Sequence, residues 1–169
     1  HNVKYKDIFK KRLGWYYQQI LKLSFVMDFV GLNKENIVIW DADTVILKKL
    51  NFFEGEYSIK YGTLFEFHKH YYKTNKSIIG KHPRYFISSL VQFISLSVLE
   101  YNFFYQKIIN LDPDDNEEKT APQLSKIILK NIFKTHDIYN GSLFSEYELI
   151  GISSYILRKN KQKALFTLR

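Results

Sequence analysis

Cysteine is absent from this sequence. That excludes disulfides and thiolate metal centres, and it fits a reducing, cytoplasmic setting. Proline and glycine are scarce, at 3 and 7 of 169 residues, so collagen-like and Pro/Gly-rich disordered compositions are excluded. Acidic residues are outnumbered, 17 against 25 basic ones, which leaves a net charge of +8. An anionic partner is expected: a phosphorylated small molecule, a nucleic acid or an anionic membrane face. Long hydrophobic runs are also missing. The longest uncharged stretch, Tyr85 to Leu99, is too short and serine-rich for a membrane span, so it predicts a buried element. The opening HNVKYKDIFKKR is polar and carries no signal-peptide pattern.

What is present is a core-forming composition, 46% hydrophobic and 17% aromatic. It predicts one globular domain over residues 1–169, with a basic tail from Arg158 to Arg169. Leu13, Tyr16 or Tyr17, Ile20, Leu23, Met27 and Val30 recur at steps of three and four, which predicts a helix over 7–30. Residues 36–40 (NIVIW) are β-branched and apolar on both faces, the pattern of a central strand covered on each side. Extended character resumes at Val45 to Leu47, a turn follows at Asn51 to Gly55, and Tyr57 to Phe67 predicts one or two strands. Helices are expected at 98–109, at 123–134 and at 145–157. Ser145 and Glu148 have capping-box spacing for the last of these. The stretch DPDDNEEKTAP, 112–122, predicts a solvated acidic loop.

Asp41 and Asp43 interrupt the apolar run of NIVIWDADTVILKKL. Buried charge is costly unless paired. Two carboxylates one residue apart, leaving a strand, can project into the crevice where α/β sheets bind ligands. There they can hold Mg²⁺ or Mn²⁺ through oxygen and neutralise a diphosphate. The same dipeptide spacing also serves turns and helix caps.

Three blocks widen the pattern: RLGWYYQQILKLS at 12–24, IVIWDADTVIL at 37–47 and FSEYELIG at 144–151. In this order they resemble a family of bacterial glycosyltransferases of the GT-A type, found among genes for surface polysaccharide. The resemblance implies a Rossmann-like mixed sheet flanked by helices. Forty residues precede Asp41, so against a GT-A-like fold the usual first nucleotide-binding strands are either missing or lie outside this chain. The resemblance implies transfer of a sugar from a nucleotide-diphosphate donor to a polysaccharide or lipid-linked saccharide acceptor. Asp41 would approach the donor and Asp43 would ligate the metal, with His136 as a further metal ligand. Glu146 and Glu148 would face sugar or acceptor, one of them as general base if configuration inverts. Glu148 keeps its capping role as an equal alternative. Arg12 would contact phosphate, and Gln18 and Gln19 would bond donor or sheet edge. Glu66 and His68, in EFHKHYY, would serve the acceptor. On a strand, His68 and His70 would share a face, yet no third zinc ligand stands at diagnostic spacing. Trp15 and Tyr16 are expected in the core rather than as sugar platforms.

Two other functions fit parts of this pattern. One is a different metal-dependent phosphoryl or nucleotidyl transferase, or a nuclease, using the same aspartates. The other is a basic, non-catalytic nucleic-acid-binding module, although no specific nucleic-acid signature is present. The basic tail would suit peripheral contact with an anionic inner-membrane face.

Overall fold

A computed structural model describes residues 2–64, 68–80, 87–88, 93–111, 119–135, 142–160 and 166–168. Among them the chain is mixed α and β, with five helices and small sheets.

The first helix, α1 (Asn2–Asn33), extends past the expected 7–30 at both ends. It stops where Lys34 turns left-handed at φ 56°, and Lys34 N–H donates to Val30 O at 3.0 Å. Leu23, Val26 and Val30 face inward, fully buried. Leu13 does not, at 49% exposed. It falls in register with Tyr17, Leu21 and Phe25, at steps of four, on the solvent side. Both sides of α1 are thus apolar, which is why sequence period alone misassigned Leu13.

Strand β1 (Ile37–Trp40) runs back along α1. It is half-buried rather than covered on both faces. Among the described residues it pairs only with β6 (Phe93–Leu96), antiparallel, from Ile37 opposite Leu96 to Trp40 opposite Phe93. The Trp40 and Phe93 rings stack at 4.6 Å, locking that register. The expected central strand of a mixed sheet is therefore corrected: β1 belongs to a two-stranded antiparallel sheet. A short hairpin, β2 (Phe53–Glu54) and β3 (Tyr57–Ser58), turns at Gly55, whose φ of 58° suits glycine. Strand β4 (Lys60–Leu64) continues through Gly62 and pairs with β5 (Ile87–Ser88) antiparallel and with β7 (Phe166–Leu168) parallel. Val45, Ile46 and Leu47 form no strand and are exposed.

The helix α2 (Lys69–Ile79) had no counterpart in the sequence reading. Its entry overturns the strand geometry for the histidines: His68 is the N-cap residue, and His70 lies in the helix. The remaining helices match their expected places: α3 (Val98–Ile109), α4 (Ala121–Thr135) and α5 (Glu146–Asn160). Leu124, Ile127, Ile128 and Ile132 point inward from α4, as their spacing requires. The core joins these to α1 through Phe104, Ile108, Phe144, Leu149 and Ile150. The acidic stretch 112–118 lies outside the described residues.

Beneath β3 and β4 sits a buried ion cluster. Glu100 is fully buried, as is Ser58, which donates to it. Arg158 bonds Glu100 Oε1 at 3.0 Å, and Lys60 Nζ lies 3.5 Å from Oε2. Lys60 also donates to the Ser95 carbonyl. Glu100 closes a capping box with Ser97 at the start of α3. Arg158 is thus interior, 5% exposed, and is no part of a solvent-facing basic tail.

Candidate functional site

The α1 helix, the end of β1 and the first turn of α5 meet at one point. Each of the three sequence blocks supplies side chains there. From α1, Lys22 reaches Asp41 Oδ1 at 2.6 Å and Tyr147 Oη at 3.0 Å. Tyr147, from α5, donates to the same Asp41 Oδ1 at 2.8 Å. Lys22 Nζ also stands 3.2 Å from Glu146 Oε1, an ion-pair distance without hydrogen-bond alignment. Its ammonium lies 4.5 Å from the Tyr147 ring centre, a cation–π contact. One cation therefore holds two carboxylates from elements distant in sequence.

Backbone geometry fixes this convergence. Gln19 Oε1 accepts the Glu146 N–H at 3.2 Å, satisfying one of the free donors at the start of α5. Ser145 Oγ accepts the Glu148 N–H at 3.4 Å, as the capping spacing predicted. The Glu148 carboxylate accepts from Ser88 Oγ on β5. Glu146 and Glu148 thus serve different neighbourhoods: Glu146 meets Lys22, and Glu148 meets Ser88.

Burial shapes the protonation of the group. It pushes the Glu146 carboxyl above the ordinary range, against the nearby Lys22 charge. It also raises the Tyr147 phenol. Burial works against the Lys22 ammonium, but the bonds to Asp41 and Tyr147 and the Glu146 charge outweigh it, and its pKa rises. Lys22 is a cation and Tyr147 a neutral donor across the physiological range.

Asp41 has a divided carboxylate. Both contacts fall on Oδ1, and its side chain is 27% exposed. Among the described residues Oδ2 takes no partner. Asp43 is exposed, with Thr44 Oγ1 at 3.4 Å from its Oδ1. Trp40 Nε1 donates to Thr44 O at 2.9 Å and pins the turn that carries both aspartates.

The other sequence-nominated residues divide. Arg12 is exposed and donates to Ser142 Oγ at 2.8 Å, three residues before Ser145. Gln18 is exposed on α1, whereas Gln19 is buried in its capping role. His68 is exposed, with its ring against Tyr71 at 4.7 Å, and Tyr71 stacks on Trp15. Tyr16 is buried and accepts the Leu143 N–H at 3.2 Å, a core role as expected. Glu66 and His136 lie outside the described residues. Sequence reasoning missed Lys22 and Tyr147. Both stand inside the quoted blocks, and only the approach of β1 and α5 to α1 brings them together with Asp41.

Among the described residues no group of three or more His, Cys, Asp or Glu is placed to hold a metal ion. Among them also no helix is long and apolar enough to cross a membrane. No family model, no curated protein and no solved structure matches this chain.

Proposed function

We propose that this chain carries the metal and donor site of a glycosyltransferase, one that moves a sugar from a nucleotide diphosphate to a surface-polysaccharide or lipid-linked acceptor. The observation that supports it most is the divided Asp41 carboxylate: Oδ1 is held by Lys22 and Tyr147, Oδ2 has no partner among the described residues, and Asp43 two positions on is exposed. A carboxylate with one anchored oxygen and one open oxygen suits a hard cation.

Asp41 and Asp43 would hold Mn²⁺ or Mg²⁺. Such ions commonly use one or two carboxylates, with phosphate oxygens and water completing the shell. When bound, the ion supplies charge neutralisation for a departing diphosphate. The chain's own residues do the rest. Lys22, Asp41, Asp43 and Glu146 together carry a formal charge of −2, which matches one divalent cation. Glu146 sits on the Asp41 side of α5, and burial raises its proton affinity, so the base of an inverting reaction falls to Glu146 rather than Glu148. Arg12 is available to phosphate from the exposed face of α1. His68, with the Tyr71 and Trp15 rings behind it, lines the acceptor side. Contact with an anionic membrane face would use the tail from Lys159 onward, since Arg158 is buried.

Thermal unfolding with UDP or GDP and Mn²⁺ tests this reading. Ligand at about a hundred times its dissociation constant adds roughly 2.7 kcal/mol. For a chain of this size that is a rise of roughly 5–10 °C. Asp43→Asn is expected to abolish the rise. No rise with any nucleoside diphosphate would count against the function.

A further inference from the structure

We propose that Lys22 is the positioning residue of this site: its ammonium, fixed between Asp41, Glu146 and Tyr147, turns Asp41 so that Oδ2 faces the incoming cation. The inference rests on the function proposed above for the identity of that cation. The orientation of Asp41 itself does not depend on it.

Lys22 reaches all three partners from the middle of a long helix whose inward side is packed by Leu23, Val26 and Val30. Its side chain is only 17% exposed. A lysine with one partner can swing. This one bonds Asp41 at 2.6 Å and Tyr147 at 3.0 Å, with Glu146 at 3.2 Å and the Tyr147 ring beneath it. Tyr147 in turn bonds Asp41, so Lys22, Tyr147 and Asp41 close a triangle. Asp41 Oδ1 sits at its corner and cannot rotate outward without breaking two bonds. Lys22 stands on α1, Asp41 just past β1, and Glu146 and Tyr147 on α5, so the triangle also fixes the start of α5 against the end of β1.

The sign of one measurement separates positioning from simple charge. A lysine that acted through charge alone would repel a second cation, and its removal would tighten metal binding. A lysine that orients a ligand does the opposite. Losing such an outer partner typically weakens metal affinity about 10–100-fold.

The test is Mn²⁺ affinity by electron paramagnetic resonance for the wild type, Lys22→Met, Lys22→Arg and Tyr147→Phe. Lys22→Met is expected to weaken binding about 10–100-fold. Lys22→Arg, which keeps charge and donors, is expected to recover most of it. Tyr147→Phe keeps the charge, removes one tether of Asp41, and should weaken binding by a smaller factor. It keeps the question decidable if Lys22→Met fails to fold. Equal or tighter Mn²⁺ binding by Lys22→Met, or by Tyr147→Phe in its place, overturns the proposal. A second readout needs no metal: the carboxyl-carbon NMR signal of Asp41 in aspartate-labelled protein. It should move on Lys22→Met and return on Lys22→Arg. If the wild type binds no Mn²⁺, the metal reading fails, and an unmoved Asp41 signal in Lys22→Met, or in Tyr147→Phe in its place, overturns the positioning role on its own.

Discussion

Replacing Glu100 by Gln removes the anion that two buried cations, Lys60 and Arg158, share. All three side chains are at most 5% exposed. Glutamine keeps the shape and can still accept from Ser97 N–H, now at 3.1 Å, so the α3 cap largely survives. The charge does not. Breaking a buried pair by removing one partner costs about 3–5 kcal/mol, against a total stability of roughly 5–15 kcal/mol. Lys60→Met is the opposite case. It removes a desolvated ammonium and leaves Glu100 paired with Arg158 alone at 3.0 Å. The lost bond to Ser95 O costs about 1 kcal/mol, and relief of desolvation offsets it. Lys60→Met is therefore expected to be neutral or stabilising at pH 7. The pH dependence follows. Burial, against the Glu100 charge, lowers the Lys60 pKa from 10.5 to about 8. Between those values the unfolded chain keeps a proton that the folded chain has released. Wild-type stability from this group therefore rises from about pH 8 to 10.5, by an amount on the order of 3 kcal/mol. Below pH 8 the cost of the buried ammonium is present in full. Urea unfolding followed by tryptophan fluorescence at pH 7 and pH 10 measures both effects, with Lys60→Met lacking the alkaline gain. If Lys60→Met loses as much at pH 7 as Glu100→Gln, the ammonium is a net contributor and the reasoning is wrong.

Two glycines of α1 should respond in opposite directions. A Cβ at Gly14 meets nothing within 4 Å, so Gly14→Ala should stabilise by about 0.5–1 kcal/mol, read as a higher urea midpoint. At Gly31 a Cβ would stand 2.9 Å from Tyr101 Oη, which donates to Met27 O at 3.1 Å. Gly31→Ala should destabilise, and adding Tyr101→Phe should recover most of the loss. Ser97→Ala removes the cap of α3 and the partner of the Glu100 N–H, and calorimetry should show about 1 kcal/mol lost.

Helices α3, α4 and α5 were legible because their apolar residues repeat with helical period, and α5 also because Ser145 and Glu148 have capping spacing. Ser145 accepts where the spacing put it, whereas the capping box of Ser97 and Glu100 was not read from the sequence. Helix α2 was not legible. Its sequence, KHYYKTNKSII, is polar and aromatic, and its burial comes from Thr74 and Asn75 as much as from Ile78 and Ile79. Strand β1 was placed correctly but its half-burial was not legible, since an apolar run fits a strand covered on both faces and a half-buried antiparallel pair alike. At the site, the aspartates announced themselves as charges in an apolar run. Lys22 looked like the wet face of a helix, and only the approach of β1 and α5 makes it an anchor. That Glu146 and Glu148 part company follows from helical geometry, because residues two apart lie on nearly opposite sides.

The triangle at Asp41 also sets an order of events during synthesis. Tyr147 follows Asp41 by 106 positions. At about 5–20 residues per second, the ribosome takes roughly 5–20 s to cover that distance. During that interval β1 gains its partner only once β6 has been made, and the corner stays open until Tyr147 arrives. A nascent chain cut short before α5 would carry the acidic turn without Tyr147, and so without one of the two tethers that aim it.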